Sequence, residues 1–272
     1  MAKMGHTMIT HCENAISLFS EDEITHLRAQ APGSVAVAAL AGRDSVAAIL
    51  QALLDDESIT TIVPTSVGTG TEYGDATVVA EARTFLLQRI DELRAEEKLA
   101  RSIEVLEVRR FASPEIWASL NGAPASTLQE LFGMNSPCLA CHLYLHLARI
   151  PLCLDLGATK LISGERDTHD GRIKLSQTID SIDAEERIIA RAGVTFICPL
   201  RTVSGEEISA LVPGWKEGAR QLKCVHSKNY LLPDGTVAYD QQLHQAYIEE
   251  FFEPAGIDIV DSWLKAKNYS PT

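Results

Sequence analysis

The chain has 272 residues and a formal net charge of −13, from 37 acidic and 24 basic side chains. With 46% hydrophobic and 22% charged residues it has the make-up of a folded globular protein, which excludes a disordered or fibrous chain. The acidic balance argues against broad nonspecific nucleic-acid binding, which draws on Lys and Arg contacts to phosphate.

The length suits one large α/β domain with small extensions. No apolar stretch is expected to reach membrane-spanning length, and residues 1–13 lack the apolar core of a secretory signal. Six cysteines in a chain of this size do not suggest a disulfide scaffold. A cytoplasmic location without membrane contact is the expectation.

Residues 1–33 read as an accessory segment, with a short helix over residues 22–27 that Pro32 and Gly33 end. His11 and Cys12 stand there without sequence neighbours to complete a site. Residues 35–40 form a continuous apolar run of strand length, and Val46, Ile49, Leu50, Leu53 and Leu54 recur behind it at helical spacing. A run apolar on both faces suits a parallel strand covered by helices. The loop between, Ala41-Gly42-Arg43-Asp44-Ser45, then sits at the carboxyl edge of the sheet. Gly42 admits close approach there, and the first N–H groups of the helix attract anions. The structural alternative is a tight turn capped by Asp44 or Ser45.

Residues 60–63 are a second strand, and residues 65–71 a polar, glycine-containing loop. Asp75 is placed to cap a helix running to about Arg94. Residues 103–108 make a third strand whose alternating charges suit the sheet edge, and Ser113-Pro114-Glu115 opens another helix with Ser as its cap. Residues 160–163 and 194–198 are the fourth and fifth strands, separated by a helix over residues 184–191. This alternation predicts an α/β fold with a doubly wound, five-stranded parallel sheet in a domain at 34–205. It is flanked by the segment 1–33 and by a C-terminal helical extension, 206–272, at whose start Ser204-Gly205-Glu206-Glu207 makes a capping box.

Ser136-Pro137-Cys138-Leu139-Ala140-Cys141 stands directly ahead of an apolar helix through Leu143, Leu147 and Ile150. A helix N-terminus lowers thiol pKa and favours the thiolate, the form that binds metal or attacks electrophiles. Cys224 lies in Lys223-Cys224-Val225-His226, within a stretch holding Lys216, Arg220, Lys223 and Lys228 that is either a local binding surface or a solvated face. Cys138, Cys141 and Cys224 could hold three irons of a [4Fe-4S] cluster and leave the fourth open. Other readings are a structural zinc site completed by His226 or Cys198, a redox or persulfide-carrying pair, and plain burial. Cys153 reads as core packing, and His142 and His146, at i, i+4, allow a shared metal or a packing role. Trp117 and Trp215 follow no pattern and receive no role.

Residues 40–45 resemble the Ser-Gly-Gly-x-Asp-Ser signature of the PP-loop ATP pyrophosphatases, the adenine-nucleotide α-hydrolase-like superfamily. Gly42, Asp44 and Ser45 match, while Leu40 and Ala41 replace the first Ser and Gly. The three cysteines are similar to those of the iron–sulfur branch, the tRNA 2-thiolation proteins, in which a Cys-x-x-Cys and one distant Cys carry a cluster with a free iron. Cys198-Pro199-Leu200-Arg201 and Glu207-Ile208 resemble the Pro-Leu and Glu-Ile stretch after the last core strand of that group. Where those relatives show Gly-His and paired Asp, this chain has Ser163-Gly164-Glu165-Arg166-Asp167-Thr168-His169-Asp170, which leaves the acceptor open between a small molecule and tRNA.

The resemblance, spanning residues 35–226, implies an ATP-dependent sulfurtransferase. ATP would lie over Ala41, Gly42, Arg43, Asp44 and Ser45, with Arg43 at the variable position facing solvent and Mg²⁺ on Asp44. Ser163, Gly164 and Glu165 would line the pocket, with Arg166, Lys174 and Arg201 as phosphate ligands. Cys138, Cys141 and Cys224 would carry the [4Fe-4S] cluster, or zinc in its place. Asp44 and Cys224 would be catalytic: a substrate oxygen is adenylated, pyrophosphate is released, and sulfur from a donor replaces the oxygen. Two other classes stay open, an amidating or ligating enzyme of the same fold with a structural zinc, and a non-catalytic nucleotide-binding regulator. A homodimer is left open as well.

Overall fold

The computed structural model describes residues 18–133, 137–167, 169, 171–216, 222–237 and 239–267. The His11–Cys12 pair, Arg220, Thr168 and Asp170 lie outside them. The chain begins with α1 (Glu21–Gln30), which Ser20 and Glu23 start with a reciprocal capping box, and β1 (Val35–Ala39) follows. Next come α2 (Arg43–Asp55), β2 (Thr61–Gly68), β3 (Glu72–Tyr73) and α3 (Val78–Ala95). The expected loop after the second strand is therefore largely strand: residues 65–68 pair with residues 109–112 and belong to β2. α3 starts later than expected, because Asp75 accepts the Thr77 N–H at 2.9 Å and its hydroxyl at 2.7 Å. Asp75 pins the entry turn, and Thr77 holds the N-cap position.

The expected third strand is broken in two, β4 (Glu104–Val105) and β5 (Arg109–Ala112), both parallel to β2. Pro64 explains the break. Leu106 N–H donates to Ile62 C=O, so alternate residues of β2, Ile62 and then Pro64, face this edge. Proline has no N–H to continue the ladder. The carbonyls of Val105 and Leu106 are instead taken by the Arg83 guanidinium at 2.9 and 2.8 Å.

Four short helices lead to the next strand: α4 (Pro114–Trp117), running into a π-helical turn, α5 (Ala125–Phe132), α6 (Pro137–Leu147) and α7 (Ile150–Leu156). Ser113 occupies the N-cap of α4 but its hydroxyl makes no cap bond; its N–H goes to the Tyr144 hydroxyl at 2.9 Å. Residues 137–156 are long and apolar enough to cross a membrane by length and composition, contrary to the sequence expectation. They form two helices, and Leu139, Leu143, Leu147, Ile150 and Leu152 are buried in the core, which identifies a core element of a globular domain. After β6 (Lys160–Ile162) come α8 (Ile179–Ala190), β7 (Thr195–Ile197), α9 (Gly205–Leu211), β8 (Lys223–Cys224), α10 (Gln241–Tyr247) and α11 (Glu253–Ala266).

The central sheet has the order β4-β2-β1-β6-β7, with β5 continuing alongside β2, and its pairs are parallel. Alternation along the strands sends Val37, Val63, Leu161 and Phe196 to one face, against α6, α7, α8 and α11. Ala36, Ala38, Ile62 and Ile162 go to the other, against α2, α3 and α9. Helices thus cover both faces of the sheet. Ile24 and Leu27 of α1 and Trp263 of α11 belong to the same core as Val37, so both extensions pack as parts of the sheet's own layers. Strand order reverses between β1 and β6, and the loops leaving those two strands meet at one crevice.

Candidate active site at the sheet edge

α2 is fixed from behind. Val46, Ile49, Leu50 and Leu53 are fully buried, each contributing roughly 1.5–3 kcal/mol, so the helix start cannot drift from β1. Leu40 N–H closes on Thr65 C=O at 2.8 Å, and the chain turns through Ala41 and Gly42. The Ser45 hydroxyl accepts both Ala41 and Gly42 N–H, at 2.9 and 3.0 Å, and donates to Gly42 C=O at 2.8 Å. Ser45 is the internal fastener of the loop. The first intrahelical bond is Val46 N–H to Gly42 C=O, so the N–H groups just ahead of it lie at the positive end of α2. Gly42 is extended, with open space where a Cβ would stand.

Gly164 is the sterically demanding glycine. A Cβ there would lie 2.7 Å from the Asp44 carbonyl carbon and 2.8 Å from Ser45 N, so the loop after β6 rests directly on the loop after β1. Asp44 pairs with Arg43 at 2.9 Å and faces Arg166 at 3.7 Å. Arg43 was expected to face solvent; it is drawn back by its neighbour's carboxylate and is largely covered. Burial lowers the Lys174 pKa, while the Asp44 and Glu165 charges work against that shift. His169 is pushed down to about 4 by burial and by the charges of Lys174 and Arg166, so it is neutral at pH 7. Arg201, in contrast, is engaged by Asp167 at 3.0 Å and Asp183 at 2.7 Å.

The three cysteines named from sequence share one cavity of about 370 Å³. Cys138 and Cys141 enter from the first turns of α6. β8 pairs antiparallel with β3, in a register that sets Cys224 opposite Glu72 and brings in the third thiol. The Cys138 thiol donates to Asn229 Oδ1 at 3.0 Å; Cys224 Sγ lies 3.2 Å from Thr71 Oγ1 and accepts the His226 N–H at 3.4 Å. His226 stacks on Trp117, with ring centroids 6.3 Å apart, and both line the cavity with His142, Leu145 and Lys174. Lys228 lines it too, and Lys223 sits on β8 beside Cys224. Cys198 does not join them: it lies beside Glu165 and Glu185. Cys153 is fully buried.

The helix N-terminus does not lower the α6 thiols as the sequence suggested. Burial dominates, pushing Cys138 up to about 11 and Cys141 to about 12, and the other thiols of the cavity add to it. Without a metal these groups stay protonated.

Between the cavity and the loop after β1 lies a buried polar cluster. Glu165 Oε1 is 3.2 Å from His142 Nδ1 and 3.2 Å from His146 Nε2, which is also 3.7 Å from Glu185 Oε2. Burial raises the Glu165 pKa, but the two imidazoles outweigh it and hold the group well below the usual carboxylate range. Glu185 is driven the opposite way, by burial and by the Glu165 charge, to well above the usual carboxylate range. Ser163 is buried with its N–H on Ile197 C=O. Sequence reasoning gave Glu165 to the nucleotide, left Trp117 without a role and missed Glu185 altogether; a buried acid on an otherwise ordinary amphipathic helix has no local signature.

No family model matches the chain. Over 238 residues it is 33% identical to an uncharacterized protein of Methanocaldococcus jannaschii, an alignment covering 86% of this chain and 83% of that protein.

Proposed function

The chain belongs to one family with that archaeal protein, and from its own site we propose that it is a PP-loop ATP pyrophosphatase acting as an ATP-dependent sulfurtransferase. One observation carries this reading: the cavity holding Cys138, Cys141 and Cys224 adjoins the cationic loop crevice between β1 and β6, with Lys174 common to both surroundings. Two chemistries on one sheet edge suit a reaction in two stages, activation and substitution.

ATP would sit with its phosphates at the N-terminus of α2, where Arg43, Arg166 and Lys174 supply positive charge and Asp44 is the carboxylate that would hold Mg²⁺. A substrate oxygen attacks the α-phosphorus, the α–β phosphoanhydride bond breaks, and pyrophosphate leaves. A sulfur nucleophile then takes the place of the adenylated oxygen, which departs with AMP. The donor set fits a [4Fe-4S] cluster: three thiols line one cavity, and burial raises the pKa of two of them, so a metal that binds the thiolates would displace their protons. Cys138, Cys141 and Cys224 would hold it, and when bound it would supply the sulfur-transfer chemistry of the second stage. Trp117 and Leu145 exclude water from that side. Cys224 Sγ accepts the His226 N–H at 3.4 Å, which orients it toward the cavity it shares with Cys138 and Cys141. Lys228 offers the cavity mouth to an anionic acceptor, tRNA or a smaller phosphorylated molecule. Free thiols suit a reducing cytoplasm.

His226 lines the same cavity, so zinc on the three cysteines and His226 is the rival reading, and the test separates the two. Anaerobically purified protein is assayed for iron, acid-labile sulfide and zinc. Iron and sulfide are expected together, and each of Cys138→Ala, Cys141→Ala and Cys224→Ala is expected to lose both, while Cys153→Ala and Cys198→Ala keep them. Stoichiometric zinc without iron would overturn the cluster and leave an amidating or ligating enzyme as the better reading.

A further inference from the structure

The two histidines of α6 stand one turn apart, on one face of the helix. Against that face lies Glu165, from the loop after β6, and the ligand atoms of His142, His146 and Glu165 all fall within 4.8 Å of one another. Contacts this close between imidazole and carboxylate ordinarily mean hydrogen bonds. Here His146 Nε2 and Glu165 Oε1 approach to 3.2 Å, yet Nε2 has no hydrogen-bond partner of acceptable geometry among the protein groups. Glu185, fully buried beside them, has neither carboxyl oxygen bonded to the protein. Glu165 Oε1 is also 3.2 Å from His142 Nδ1 in a hydrogen bond, so the groups left without partners are His146 and Glu185, and both lie against that pair. Gln177 donates to the second oxygen of Glu165, the orienting contact a metal-binding carboxylate needs.

We propose that His142, His146 and Glu165, completed by Glu185, form a binding site for one divalent transition-metal cation, distinct from the thiol cavity. Two imidazoles with two carboxylates suit Zn²⁺, Fe²⁺, Mn²⁺ or Co²⁺, whereas Mg²⁺ and Ca²⁺ favour all-oxygen shells. The cation enters past His142, which lines the thiol cavity. Bound there, it ties α6, which carries Cys138 and Cys141, to the loop whose Gly164 rests on Asp44. It thereby sets the spacing between the thiol cavity and the nucleotide crevice. The site stands whether or not the sulfurtransferase reading holds, because none of its four side chains belongs to the thiol set.

The test uses the full chain with Cys138, Cys141 and Cys224 all changed to Ser, so that the thiol cavity cannot bind metal. Co²⁺ serves as the probe. The expected result is one equivalent bound, with ligand-field absorption of a nitrogen–oxygen site and a raised melting temperature. Glu165→Gln and His142→Ala, each introduced into that background, are expected to weaken Co²⁺ binding by at least about 10–100-fold. His142 sits at the cavity wall, so its truncation leaves the core packing in place and keeps the test valid if Glu165→Gln folds poorly. Absence of Co²⁺ binding in the triple-Ser protein, or binding unchanged by His142→Ala, overturns the proposal. Iron and sulfide on the intact cysteines are read in the separate anaerobic assay, so the two readings fail independently.

Discussion

At the scale of single residues, the crevice between β1 and β6 depends on one missing methyl group. Gly164 leaves no room for a Cβ against the Asp44 and Ser45 backbone, and that backbone cannot yield, because α2 behind it is buried from Val46 to Leu53. Gly164→Ala is expected to separate the two loops by a fraction of an ångström. The expected cost is about 1–3 kcal/mol in stability and on the order of 100-fold or more in ATP-dependent pyrophosphate release. Asp44→Ala removes a partly solvated carboxylate and no packing, so it should abolish release while leaving the melting temperature close to wild type. Undiminished release from either variant would remove this loop from the chemistry.

At the scale of elements, helix starts that look alike in sequence are secured by different means. Ser204 caps α9 in full: its hydroxyl takes the Glu207 N–H at 3.2 Å, and Glu207 returns the bond to Ser204 N–H at 2.9 Å. Ser113 precedes Pro114 in a pattern that reads equally well, yet its hydroxyl makes no cap bond. Ser204→Ala should therefore lose about 1 kcal/mol in urea unfolding, and Ser113→Ala distinctly less. Equal losses would mean that the capping geometry contributes nothing measurable. The same divergence separates β4 from β5, where Pro64 interrupts the ladder and Arg83 binds the stranded carbonyls.

Across the whole molecule, the C-terminal helices are joined to the sheet through a continuous core. Trp263 of α11 is completely buried in the cluster that contains Val37, Leu161 and Phe196, and Arg187 and Arg191 of α8 pair with Glu253 and Asp261 along the same contact. Trp263→Ala is expected to destabilise the protein by about 3–5 kcal/mol while unfolding stays a single cooperative transition, followed by fluorescence and circular dichroism together. A separate early transition confined to the helical signal would show α11 to be an independent unit.

The parts legible from sequence are those written in consecutive residues. The apolar run of β1, the helical spacing of α2 and the polar loop between them lie within about two dozen positions, and local periodicity is enough to recognise a strand, a turn and a helix. The alternation of such units led to a parallel sheet, and β1 does pair in parallel with both β2 and β6. The Cys-x-x-Cys pair was equally visible, and the thiol of Cys224 joins it in space. Tertiary structure alone decided the rest. It separated Cys198 from the other thiols, raised the α6 thiols above their ordinary range, turned Glu165 toward His142 and His146, and set Glu185 against them. These outcomes depend on desolvation and on charges brought together across long separations in the chain. Hydrophobic periodicity reports which face of an element is buried; it carries no information on which polar group of another element will be buried against it.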